Sequence, residues 1–298
     1  MSSHAPRAWW ILAAPLVFLI LWSAGFSVAK IALAQAQPLT VLALRYGVTT
    51  AILLPVALIL RPAFPRGRAS WNVVVVGVLI QVAYFGFCYV AFKMGTSAGA
   101  VAVVVCLQPI LTALAAPHLT GETIGRRGWI GLALGLTGAL LAILGRSTVA
   151  AESGLGLLAC VVALFGITGG TLYEKRFGAG HHPVAANLIQ YAAALALCLP
   201  AAWLTEDMGI HWTPDFLAAM AYLVLGNSLL AMTLLLAMIR AGEVARVSSL
   251  FYLVPPLSAL FAWPLLGETM PPLAWAGMGL AAAGVAMVTR RRKAPVPR

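Results

Sequence analysis

Ten apolar stretches, each about the length of a bilayer crossing, follow one another between residues 9 and 289, near 9–34, 39–60, 72–92, 98–119, 128–145, 154–174, 184–204, 216–238, 247–266 and 273–289. A spanning helix needs about 20 mostly apolar residues, so ten of them take up most of the 298 positions and leave short loops and tails. Only 9% of the residues are charged, where a soluble domain carries about 25%. A soluble fold is excluded, and so is a large domain outside the lipid. The class predicted is an all-α membrane protein with ten transmembrane helices.

The 19 Lys and Arg outnumber the 8 Asp and Glu, which in a soluble chain would suggest nucleic acid as a partner. Here their placement gives another reason. With the N-terminus inside, the cytoplasmic segments hold Arg7; Arg61, Arg66, Arg68; Arg126, Arg127; Lys175, Arg176; Arg240, Arg246; and Arg290, Arg291, Arg292, Lys293, Arg298, which is 15 of the 19. This is the positive-inside bias of a multi-pass protein. It predicts cytoplasmic termini in a plasma membrane of bacterial inner-membrane type, with no nucleic acid partner. Arg7, the apolar run from Ala8 and the small residues around Ala34 mimic a secretory signal, but the run is too long for a signal core and reads as the first span. Cys88, Cys106, Cys160 and Cys198 all lie in apolar stretches without paired spacing, and read as packing residues.

The chain repeats itself. Residues 91–138 set against 237–284 match at 16 of 48 positions, among them Pro109 with Pro255, Gly121-Glu122-Thr123 with Gly267-Glu268-Thr269, Trp129 with Trp275 and Gly138 with Gly284. At an offset of 145, Gly25 and Gly170, Lys30 and Lys175, Pro38 and Pro183, Tyr46 and Tyr191, and Pro55 and Pro200 fall in register. The reading is a duplicated five-helix unit, 1–146 and 147–298. An odd number of crossings forces the second copy to enter upside down. In transporters, inverted repeats of this kind meet around a midplane site that is exposed to each face in turn.

Trp22-Ser23 in the first span, Ala91-Phe92 before a short turn, Leu107-Gln108-Pro109, Gly121-Glu122 before a glycine-rich span, and their echoes Leu253-Val254-Pro255 and Gly267-Glu268 resemble the EamA-type members of the drug/metabolite transporter superfamily. The resemblance covers both repeats. It implies a ten-helix secondary exporter of small metabolites, amino acids foremost, without a cofactor, whose spans 1, 3, 4, 6, 8 and 9 line a central cavity. The first-span motif departs from the commoner Trp-Gly-x-Asn form, reading Trp22-Ser23-Ala24-Gly25, and the second copy has Ile167 and Thr168 at the matching places.

Charges buried in a bilayer are costly and mark function by default. Lys30, near the outer end of span 1, and Arg45, about 9 Å into span 2 from the same side at 1.5 Å per residue, could bind a carboxylate or snorkel to headgroups. No acid lies in the middle of a span; Glu174, at the inner end of span 6, comes nearest. That favours neutral or zwitterionic solutes over lipophilic cations, with proton coupling left open. Gln81, Tyr84 and Cys88 follow i, i+3, i+7 spacing, which on an α-helix forms one stripe, and Asn227 with Ser228 stands at the matching depth in span 8. These amides could meet substrate or link helices. Trp22, Ser23, Tyr173, Tyr252 and the span 7 set Asn187, Gln190, Tyr191 complete the candidates.

Pro109 and Pro255 should break their helices by removing an amide donor, and are candidate hinges. Gly131, Gly135 and Gly277 to Ala281 permit close helix approach, within the chain or across a homodimer seam. Glu122 and Glu268 read as structural acids at helix N-termini. Neither catalytic nor phosphate-binding motifs occur, and His181-His182 cannot form a metal site alone. A nucleotide-sugar or phosphorylated-metabolite exchanger would call for more basic residues at depth; a lipid-modifying enzyme would need a catalytic constellation, and a scaffold would have no use for repeated helix-breaking prolines.

Overall fold

The computed structural model describes residues 9–96, 98–145, 154–178, 180–242, 244–266 and 271–289. Arg7, Arg146, the Gly267-Glu268-Thr269 copy and the basic tail from Arg290 onward lie outside the described residues. Ten helical rods are present: α1 (Trp9–Leu33), α2 (Pro38–Leu60), α3 (Arg68–Lys93), α4 (Ala98–Val105 continued by Gln108–Leu119), α5 (Arg126–Leu144), α6 (Gly154–Phe177), α7 (Pro183–Thr205), α8 (Pro214–Ala241), α9 (Val244–Ser249, Leu250–Leu253 and Val254–Leu266) and α10 (Pro272–Thr289). Among the described residues, nine rods are long and apolar enough to cross a membrane. The remaining rod, α9, is divided. Exposed leucines such as Leu58, Leu158, Leu204 and Leu225 face outward, while Trp71, Trp129, Trp203, Trp212 and Trp275 stand exposed near the rod ends, where indoles favour the lipid–water boundary.

The two copies interlock. α1 packs on α8 and α9 of the second repeat, and α6 packs on α3 and α4 of the first; α2 meets α7 and α5 meets α10 across the pseudo-two-fold axis. We call the face where α1 begins the near face and the face where it ends the far face.

The α5–α10 contact is made by backbone. A Cβ on Gly138 would sit 2.3 Å from the Ala281 nitrogen, and one on Gly284 would sit 2.4 Å from the Gly135 nitrogen. Without side chains between them the two helices gain dispersion contacts that lipid cannot offer. These glycines are therefore consumed inside the chain.

Two departures from plain α-helix recur in both copies. Val78–Gly86 of α3 and Tyr222–Ala231 of α8 wind as π-helix, a form that appears mostly as short segments at functional sites. In each copy a tyrosine satisfies a carbonyl of the widened turn: the Tyr46 hydroxyl donates to the Gln81 carbonyl, and the Tyr191 hydroxyl to the Ser228 carbonyl, both at 2.8 Å. The two rings meet on the axis, 5.7 Å apart.

The second departure lies at the prolines. Proline has no N–H and its ring crowds the preceding turn. Accordingly α4 is interrupted at Cys106–Leu107, where the Leu107 amide donates to Val104 three residues back. α9 tightens to a 3-10 turn at Leu250–Leu253, immediately before Val254-Pro255.

Candidate functional site

A cavity of about 480 Å³ lies between the repeats, within the few-hundred Å³ range of small-molecule sites. On α1 it runs from Trp22 to Ala34, about 18 Å at 1.5 Å per residue. It therefore occupies the far half of the bilayer. A second pocket, sharing Leu33, Ala34 and Phe92, continues it to the far-face loops beside Lys93, Asp207 and His211. Toward the near face it is stopped by an aromatic plug. Trp22 stands 5.2 Å from Phe18 and 5.7 Å from Phe251 between ring centroids, and lies parallel to Tyr84 at 6.5 Å.

The wall is aromatic on one side and carries Arg45 and Asn227 on the other. α3 supplies Tyr84, Phe85, Cys88, Tyr89 and Phe92, an i, i+1, i+4, i+5, i+8 stripe that begins inside the π segment. Arg45 of α2 reaches the cavity although it is only 1% exposed. Its Nε donates to Ser228 Oγ and its Nη2 to Asn227 Oδ1, both at 2.6 Å, and its guanidinium carbon lies 4.9 Å from the Phe85 ring centroid. Asn227 is held in turn by the Leu21 carbonyl at 3.4 Å and by Gly25, whose missing Cβ leaves room for the amide. Five N–H donors are fixed on a guanidinium, so Ser228, Asn227 and the neighbouring Tyr89 hydroxyl do not exhaust them. No carboxylate pairs with Arg45 among the described residues, and none lines the cavity.

Of the residues singled out by sequence, the cavity gathers Trp22, Lys30, Arg45, Tyr84, Cys88 and Asn227, with Lys30 exposed at the rim. The others lie elsewhere. Ser23 is fully buried and its carbonyl accepts from Ser258 at 2.8 Å. Gln81 is buried beside the cavity, turned off the α3 stripe by the π winding. Tyr173 donates to Asn72 Oδ1 at 2.8 Å and ties α6 to α3 near the other face. Tyr252 packs its ring into the gap left by Gly135. Pro109 and Pro255 sit at the breaks of α4 and α9, which Gln108 and Ser248 link by a 3.2 Å hydrogen bond.

Phe85, Tyr89, Phe92 and Thr96 line the cavity without having been anticipated. Their shared α-helical spacing with Tyr84 and Cys88 was the available signal.

Both faces are tied by acids that cap a helix of the other repeat. On the far face the Glu206 carboxylate, at the end of α7, accepts from the Leu39 and Thr40 amides of α2 at 3.0 and 2.8 Å. Lys93 lies 3.6 Å away, and Ala36 bridges to Ile210. On the near face Glu122 accepts from the Val244 amide at 2.7 Å, where α9 begins, and lies 3.4 Å from Lys175. Gly121, at φ 74°, supplies the left-handed turn that brings Glu122 there. The acid-at-amide role read from sequence thus holds for Glu122, but it serves the other copy's helix. Among the described residues no His, Cys, Asp and Glu cluster could hold a metal.

The EamA-like transporter family model matches the chain twice, at residues 8–144 and 154–290. The inner membrane transporter YedA of Escherichia coli K12, uncharacterized in function, is 24% identical over 91% of this chain and 87% of its own length. The uncharacterized transporter YvbV of Bacillus subtilis is 24% identical over 92% and 90%. A probable amino-acid metabolite efflux pump of Salmonella typhimurium is 25% identical over 91% of each. One crystal structure superposes with a TM-score of 0.78 over 93% of this chain and 97% of its own, at 22% identity, and so shares the fold. Two matches in tandem, on two interlocked five-helix units around one cavity, place this chain in the EamA-like transporter family.

Proposed function

We propose that this transporter exports an amino acid or a closely related carboxylate across a bacterial inner membrane by alternating access. The carrying observation is Arg45: a guanidinium buried in the cavity wall, held by two neutral partners and opposed by no acid among the described residues. Its free N–H donors offer a carboxylate a fork of charge-assisted hydrogen bonds. The rings of Tyr84, Phe85, Tyr89 and Phe92 present apolar area to a side chain, and their faces attract an ammonium. The relative named as an amino-acid metabolite efflux pump supports the same substrate class.

The basic near-face loops support a cytoplasmic near face, and in that orientation the cavity is open outward, the geometry for release. Exchanging the conformations of the two repeats would open it inward for loading. The breaks before Pro109 and Pro255 are the natural flexing points, because proline has no N–H and the helix there lacks one of its i to i−4 hydrogen bonds.

The test is reconstitution into liposomes with a panel of labelled amino acids, their amides, amines and nucleotide sugars. Saturable uptake of amino acids is expected. Arg45→Ala should lower uptake of a carboxylate-bearing solute by about 10-fold or more, the worth of one hydrogen bond to a charged group, and lower that of its amide far less. Equal losses for acid and amide would remove Arg45 from substrate binding.

A further inference from the structure

Two glutamines at the packed junction of α3 and α7 have no use for their amides in this structure. Gln81 and Gln190 are wholly buried, and the side-chain nitrogen and oxygen of each lack a hydrogen-bond partner. The groups around them are already engaged. The Tyr191 hydroxyl, beside Gln81, donates to the Ser228 carbonyl, and the Tyr46 hydroxyl donates to the Gln81 backbone carbonyl. The helices touch here by their backbones, since a Cβ on Gly77 would lie 2.7 Å from the Gln190 Cα. An unpaired buried amide is a net loss to folding, which a methionine or leucine of similar volume would avoid. Packing alone gives no reason for these two residues.

The repeat supplies one. At an offset of 145 Gln190 corresponds to Arg45, and at 146 Gln81 corresponds to Asn227. Arg45 and Asn227 bond at 2.6 Å and line the far-side cavity. Each pair joins α2 or α7 to the π segment of the helix it packs on, for Gln81 and Asn227 both lie within those segments. One pair borders a cavity and the other is packed in because the far half is open and the near half shut, with Glu174 of α6 buried against Arg240 of α8. Exchange of the repeat conformations gives the α3–α7 junction the shape now held by α8 and α2. Gln190 and Gln81 then come onto the wall of a near-side cavity.

We propose that Gln81 and Gln190 form the near-side subsite of the transporter, an uncharged amide pair that takes the carboxylate of the carried solute while the near face is open. Their two NH₂ groups supply donors and their oxygens acceptors, so a carboxylate is held by hydrogen bonds without a formal charge opposite it. Arg45 meets the same group when the far face is open. The inference rests on the alternating-access reading, and it gives the buried amides partners in one state that they lack in the other.

The experiment uses the full chain in membranes of known orientation, with the native cysteines replaced because Cys88 lines the far cavity. Tyr89→Cys marks the far cavity; Leu235→Cys, its counterpart at an offset of 146 and wholly buried here, marks near-side opening; Gln190→Cys marks the subsite. A membrane-impermeant maleimide is added to one side at a time, with and without a mixture of the proteinogenic amino acids. Tyr89→Cys should react from the far side alone, Leu235→Cys and Gln190→Cys from the near side alone, and the mixture should slow all three. Near-side reaction at Leu235→Cys but none at Gln190→Cys would overturn the proposal. So would a Gln190→Cys reaction that the mixture leaves unchanged while it protects Tyr89→Cys. Silence at both near positions would instead remove alternating access, and protection at none of the three would remove amino acids as the cargo. A second measurement keeps the native cysteines: Gln190→Met should lower amino-acid uptake by about tenfold or more, the worth of a hydrogen bond to a charged group, while the protein unfolds in detergent as the wild type does. Undiminished uptake in Gln190→Met would overturn the proposal whether or not the cysteine-free chain folds.

Discussion

The two copies of the α2–α3 corner differ in one decisive residue. In the first, α2 presents Arg45, which crosses to Asn227 and Ser228 of the second repeat and lines a cavity. In the second, the corresponding α7 residue is Gln190. Its amide and that of Gln81, the residue matching Asn227, are fully buried with all four polar atoms unpartnered. The folds are equivalent down to the tyrosine on each π segment, yet among the described residues the α2 copy carries a guanidinium at this position and the α7 copy a neutral amide. The backbone is symmetric, and the chemistry that meets an anion is not.

Three measurements of unfolding in detergent test how far the equivalence extends. The largest effect belongs to the axis pair α5–α10. Gly138→Leu forces the two backbones apart, and should cost more than the ~3 kcal/mol that ordinary overpacking reaches. Gly279→Leu on the same pair, with open space around it, should stay within about 0.5 kcal/mol. Similar losses at both sites would mean that the helices do not touch as described. The next effect separates the copies: Arg45→Met strands two buried partners and should cost about 2 kcal/mol, whereas Gln190→Met loses no hydrogen bond and should cost less than about 1 kcal/mol. Should the two losses come out alike, the asymmetry would lie elsewhere. Smallest, and equal in the two copies, are Tyr46→Phe and Tyr191→Phe, at about 1 kcal/mol each for one hydrogen bond. A marked inequality would show that the π segments are supported differently.

Much of this was legible in the sequence, for identifiable reasons. Span length, the odd number of crossings per repeat and proline's missing N–H are local properties, so the ten rods, the inverted copies and the breaks before Pro109 and Pro255 follow from reading along the chain. Arg45 stood out because charge at depth is rare. The π segments carry no such mark: one extra residue per turn costs nothing in composition, yet Gln81, which plain α-helical spacing sets in line with Tyr84 and Cys88, lies off the cavity stripe while Phe85, Tyr89 and Phe92 stay on it. Tyr173 and Tyr252 were grouped with the cavity by chemistry alone, and their contacts with Asn72 and Gly135 join residues about a hundred positions apart. Glu174 read as an acid at a helix end among basic neighbours. Only the approach of α8 shows it enclosed.

The caps exchanged between the repeats bear on where such a chain comes from. Severed between α5 and α6, the polypeptide would give two fragments, each with a carboxylate lacking its amides and a helix start lacking its acid. Neither piece is finished until it meets the other. A one-copy forebear would have faced that same deficit, and could have met it by joining a sister molecule inserted in the reverse sense.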